Sequence, residues 1–140
     1  MRRVVLDTSV IVSGTLIDAG HPAKILDWWQ NGLFALVTSE AIMEEVKEVL
    51  NDPELREEYQ LTRAKVGTLL NLMRHHSILV PAELDLAVVE RDPGDDKIIV
   101  AAVEGGADTI VSGDGDLLDL KAYQGIKIVT PTEFAKSLNF

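Results

Sequence analysis

Short apolar runs rich in β-branched residues alternate along this chain with longer segments whose apolar positions recur at helical spacing. The runs Val4–Leu6, Phe34–Val37, Ile78–Val80, Thr109–Val111 and Ile126–Val129 read as strands. Between the first two, Pro22 suits a first helical turn, Ile25, Leu26 and Trp29 fall on one face, and Asn31-Gly32 stops the helix. Ser39 caps a second helix whose stripe is Ile42, Val46, Val49 and Leu50, and Asp52-Pro53 ends it. A third helical stretch runs through Leu61, Val66, Leu69, Leu70 and Met73, and a fourth is Lys97–Val103. Near the end, Thr130-Pro131-Thr132-Glu133 has the spacing of a capping box with proline at the first helical position, opening a short last helix. Strands alternating with helices predict an α/β fold with a mainly parallel sheet. No internal repeat, low-complexity tract or linker divides the 140 residues, so one domain over residues 1–140 is expected.

Right-handed crossovers bring the loops after parallel strands to one edge of such a sheet, and ligands bind there where the strand order reverses. Asp7 directly follows the run ending at Leu6, and Asp114 lies in Ser112-Gly113-Asp114-Gly115-Asp116 just after Val111. The two aspartates should share that edge whatever the strand order.

Composition narrows the chemistry available there. With no Cys, disulfides, thiolate zinc sites and cysteine nucleophiles are excluded, and a cytoplasmic protein is expected. Met1-Arg2-Arg3 followed by Val4-Val5-Leu6 imitates the start of a signal peptide, but Asp7 interrupts the apolar run and no export is expected. Nothing approaches the roughly 20 consecutive apolar residues that span a bilayer. The formal net charge of -10 argues against a broad phosphate-binding surface, although bound divalent ions would reverse the local sign around a carboxylate cluster. Neither G-x-x-x-x-G-K-[ST] nor G-x-G-x-x-G occurs, and His21, His75 and His76 lack metal-ligand spacing. Arg63, Lys65, Arg74 and the two adjacent histidines form at most a mildly basic helix face, and Trp28 is a candidate interface residue.

Four acids stand out by position. Asp7 opens Thr8-Ser9 at the end of a buried strand; an Asx-turn or helix cap explains it equally well alone, but the apolar framing favours function. Of Glu44, Glu45 and Glu48, only Glu45 falls beside the apolar stripe of its helix when positions are counted at about 100° per residue. In Asp92-Pro93-Gly94-Asp95-Asp96, Asp95 reads as the helix cap, while Asp96 shares the inward face of Ile99 and Val103. Asp114 sits between glycines that allow tight backbone paths, and Asp116 is either its supporting partner or the cap of the next turn. The segment fails as an EF-hand loop, lacking the later glycine and terminal glutamate. Carboxylates gathered in one crevice lose water and repel each other, so they require a cation, and an oxygen-only set suits a hard divalent one.

Taken in order, Val4-Val5-Leu6-Asp7-Thr8-Ser9, the Ser39-to-Leu50 helix with Glu45, Asp92-Pro93-Gly94-Asp95-Asp96 and Val111-Ser112-Gly113-Asp114-Gly115-Asp116-Leu117-Leu118 resemble a PIN domain, and within it the branch related to VapC-type toxins. The resemblance covers essentially the whole chain and implies a three-layer α/β/α fold and a magnesium- or manganese-dependent ribonuclease using one or two ions. It puts the family's acids on Asp7, Glu45, Asp96 and Asp114, its hydroxyls on Thr8 or Ser9 and on Ser112, and a further acid on Asp116. Ser9 stands where the family often has asparagine. RNA as substrate, a cognate antitoxin and a homodimer are the partners implied. Two rivals remain: a PIN-like interaction module without catalysis, and a receiver-type phospho-acceptor domain. The latter normally pairs acids after its first strand and has an aspartate after its third, where this chain has Thr8-Ser9 and Pro81.

Overall fold

Val4, Val5 and Leu6 have nothing polar to offer water, and they form the centre of a parallel sheet. The computed structural model describes residues 1–86, 88 and 95–138; Asp92, Pro93 and Gly94 of the expected turn lie outside them. The strands are β1 (Arg3–Leu6), β2 (Ala35–Ser39), β3 (Ile78–Val80), β4 (Thr109–Val111), β5 (Ala122–Tyr123) and β6 (Ile126–Val129). The helices are α1 (Thr8–Leu16), α2 (His21–Gln30), α3 (Glu40–Leu50), α4 (Pro53–Glu58), α5 (Arg63–His75), α6 (Asp96–Glu104), α7 (Gly115–Leu118) and α8 (Pro131–Ser137).

The sheet order is β3-β2-β1-β4-β6-β5, parallel throughout except between β5 and β6. The chain steps outward from β1 to β3, then returns through α6 to β4 on the far side of β1, so the order reverses between β1 and β4. A receiver domain would have order 2-1-3-4-5, so that alternative loses its topological basis. Leu6 pairs with Val111, and the ladder runs past both ends: the Asp7 amide donates to the Val111 carbonyl at 2.9 Å and the Ser112 amide to that of Val129 at 3.0 Å. Those bonds fix the backbone at the reversal.

Helices cover the sheet to give three α/β/α layers. α6 lies across β1, β2 and β4 with Ile98, Ile99, Ala101 and Ala102 buried, and Gly105 at its end lets the backbone come against Val37, where a Cβ would collide. α1 packs on α2 and α3, and α2 on α8. Phe34 and Phe134 meet edge to face at 5.4 Å between ring centres, and the buried Trp29 donates its indole N–H to the His76 carbonyl at 2.9 Å.

Most expected elements form, with informative differences. Ser39 both closes β2 and caps α3, accepting from the Ile42 amide, so β2 runs two residues past the expected Val37. The capping box at Thr130 and Glu133 is present in both directions. Trp28 is half-buried and packs against the core. Helices α1 and α4 and the two-residue β5 have no counterpart in the sequence reading. Asp52 does not merely end α3: it caps α4, accepting from the Glu54 amide at 2.9 Å.

Candidate active site

Asp7 occupies the cap position of α1, yet its side chain makes no capping bond. It turns instead to Ser112, whose hydroxyl donates to Asp7 Oδ2 at 2.6 Å. The same hydroxyl oxygen accepts from the Asp114 amide at 2.9 Å, and Asp114 Oδ1 accepts from the Asp116 amide at 2.9 Å. Each polar group holds the next, so the Ser-Gly-Asp-Gly-Asp turn and the end of β1 form one rigid unit. Burial pushes the Asp7 carboxyl up; the Ser112 hydroxyl and the Thr8 amide oppose that, while the charges of Asp114 and Glu45 add to it.

Glu45 reaches the same place from α3. Glu44 and Glu48 are exposed while Glu45 is half-buried, as the helical phase requires. Its carboxylate is ion-paired with Lys97 of α6. Burial would raise its pKa, but Lys97 and the Thr8 hydroxyl outweigh burial and hold it below the ordinary glutamate value. Asp95, Asp114 and Asp116 form the remaining cluster, each offering a carboxylate oxygen within 4.8 Å of the others.

These groups meet at a cavity of about 530 Å³. Asp7, Thr8, Ser9, Glu45, Asp95 and Asp114 are among its polar lining residues, and apolar side chains complete the lining. Ser112 lies behind Asp7, fully buried. Asp96, expected here from its helical phase, is not among the described lining residues; its Oδ1 accepts from the Val88 amide at 2.9 Å. Asp95, read as a cap, occupies the cap position without a side-chain capping bond and turns to the cavity. α6 begins at Asp96, so helical phase constrains Asp96 and says nothing of Asp95, the residue before it. Two consecutive aspartates at a helix start are the available signal, and helical phase by itself does not say which of them reaches the cavity. Tyr59, also on the cavity, carried no signal beyond being an aromatic residue after a short charged stretch.

The donor set suits a hard divalent cation: carboxylates and hydroxyls, without His or Cys among the described lining residues. A cation here would also offset the mutual repulsion that Asp7 feels from Asp114 and Glu45.

The sequence pattern of the PIN domain matches residues 3–116, from the first residue of β1 to Asp116. The chain belongs to the PIN domain family. That span takes in every acid described above, and PIN domains are generally nucleases. The chain is also 30% identical over 140 residues to uncharacterized protein MJ1680 of Methanocaldococcus jannaschii, covering 94% of this chain and 88% of that protein. Among the described residues of this PIN domain, no helix is long and apolar enough to cross a membrane.

Proposed function

We propose that this PIN domain is a Mg²⁺- or Mn²⁺-dependent endoribonuclease whose metal-holding residues are Asp7, Asp95 and Asp114, assisted by Asp116. The observation that carries this reading is the convergence of Asp7, Glu45, Asp95 and Asp114 on one cavity at the point where the strand order reverses. The bound ion would neutralise the phosphoryl oxygens, activate water and stabilise the leaving oxygen. The chain's own residues do the rest. Ser112 presents a fixed Asp7 oxygen, and the capping bond from Asp116 does the same for Asp114. Glu45, kept ionised by Lys97, orients the attacking water and takes up its proton; Ser9 hydrogen-bonds water at the cavity wall, and the buried Thr8 hydroxyl helps to hold Glu45. Asp96 accepts from the backbone amide of Val88 and acts through that bond.

We extend the reading to a cytoplasmic toxin component that acts on RNA, forms a homodimer and is neutralised by a cognate antitoxin. Its support is the family resemblance.

Purified protein supplied with Mn²⁺ or Mg²⁺ should cleave RNA, and EDTA should stop it. Removing a group that merely supports a metal ligand costs about 10- to 100-fold, so Asp7→Asn and Asp95→Asn should each lower kcat by at least about a hundredfold. Asp96→Asn should cost markedly less. Cleavage indifferent to EDTA and to Asp7→Asn would overturn the mechanism; loss of activity in Asp96→Asn but not Asp95→Asn would reassign the third acid.

A further inference from the structure

Beside its acids, the cavity is also lined by Val12, Leu16, Ile17, Val49 and Tyr59. Ile17, Val49 and Tyr59 are 47%, 37% and 41% exposed, so three of the molecule's large exposed apolar side chains gather on this wall. Scattered exposed apolar residues need no explanation, but a patch of them against a polar site does.

The position of Tyr59 is built in. It follows α4, its amide donating to the Leu55 carbonyl at 3.1 Å, and Gln60 then takes a left-handed turn at φ 52°. That turn lets the Leu61 amide donate to the Arg56 carbonyl at 2.9 Å and sends Leu61 into the core. Leu61 anchors the turn on one side, and Tyr59 is left on the cavity on the other. The cost of exposing an aromatic ring is therefore met by a fixed backbone.

We propose that Tyr59, with Ile17 and Val49 beside it, is a stacking shelf for a nucleobase flanking the scissile phosphodiester. The proposal rests on the nuclease reading above. A nucleotide has a charged phosphate at one end and a flat base at the other, and this cavity offers both kinds of partner: carboxylates that would hold the metal and, lining the same space, a ring and aliphatic side chains. The base must be unpaired to lie there, so the substrate is single-stranded or looped RNA. Stacking is tolerant of base identity because every base has a π-face, so the shelf selects strandedness ahead of sequence.

The test uses steady-state cleavage of a short single-stranded oligoribonucleotide in Mn²⁺, together with its binding followed by fluorescence anisotropy. Tyr59→Ala should raise KM and Kd about tenfold, the typical loss of one stacked base, and change kcat much less. Tyr59→Phe, which keeps the ring face, should behave as wild type, and Val49→Asn should shift KM in the same direction as Tyr59→Ala. An oligonucleotide with an abasic residue beside the cleaved bond should be bound equally by wild type and Tyr59→Ala. Unchanged KM and Kd in a folded Tyr59→Ala, with wild type active, would overturn the shelf and leave this wall to a protein partner. Tyr59-dependent binding without any metal-dependent cleavage would uphold the shelf and overturn the nuclease reading instead. Neither binding nor cleavage by wild type would overturn both.

Discussion

Ser112 carries more of the site than its size suggests. Fully buried, it donates to Asp7 and accepts from the Asp114 amide, so its one oxygen couples the acid after β1 to the acid after β4. Ser112→Ala leaves a buried carboxylate without its side-chain donor, which costs about 1–3 kcal/mol. It should also lower kcat/KM by about 10- to 100-fold, as loss of a ligand's supporting hydrogen bond does. Ser9 is exposed on the same cavity, and Ser9→Ala should leave both nearly unchanged. Thermal melts and cleavage rates of the two variants side by side check this; equal effects would mean that Asp7 is oriented by something other than Ser112. The sequence ranked these two serines together, because both follow a strand, and only the ladder register separates them. The same limit applied at Asp95 and Asp96: residue type and phase found the right neighbourhood, while the side chains' directions depended on where α6 starts.

Among elements, the helices with a clean apolar stripe and a cap were legible, and those without were not. α3 has both, from Ser39 to Leu50. α1 has neither: it begins Thr-Ser-Val-Ile-Val, its β-branched residues resemble a strand, and its Asp7 cap is turned away. What makes it a helix is packing on α2 and α3. Gly14 is the contact that allows the first of these, since a Cβ there would lie 2.7 Å from the Pro22 carbonyl oxygen and 2.7 Å from Leu26 Cδ1. Alanine would favour an isolated helix, yet here the first turn of α2 has to move. Gly14→Ala should therefore destabilise the fold by about 1–3 kcal/mol, the usual range for overpacking. Equilibrium urea denaturation checks the sign; a stabilised variant would show that α1 and α2 separate at no cost. α4 was hidden for another reason, being six residues long with no buried side chain.

At the scale of the whole molecule, the reversal of strand order collects acids from the end of β1, from α3, and from the starts of α6 and α7, places far apart in sequence. The expectation that Asp7 and Asp114 share one sheet edge needed only parallel strands and right-handed crossovers, and for that reason it was legible before the strand order was known. The gathering has a thermodynamic consequence, because in the folded chain these carboxylates crowd together and in the unfolded chain they separate. A cation that binds the folded cluster alone shifts the folding equilibrium by mass action, by about 2.7 kcal/mol when its concentration is a hundred times its dissociation constant. Saturating Mg²⁺ should thus raise Tm by several degrees, and excess EDTA should reverse the rise. The chain's formal charge of -10 means that any salt will relieve some general repulsion, so the comparison must be made against NaCl of equal ionic strength. Asp114→Asn removes a cluster carboxylate and should abolish most of the Mg²⁺-specific rise while keeping the NaCl response. If Mg²⁺ and NaCl stabilise wild type equally, the crevice holds no specific ion and the acids serve only to cap and brace the turns at the sheet's edge.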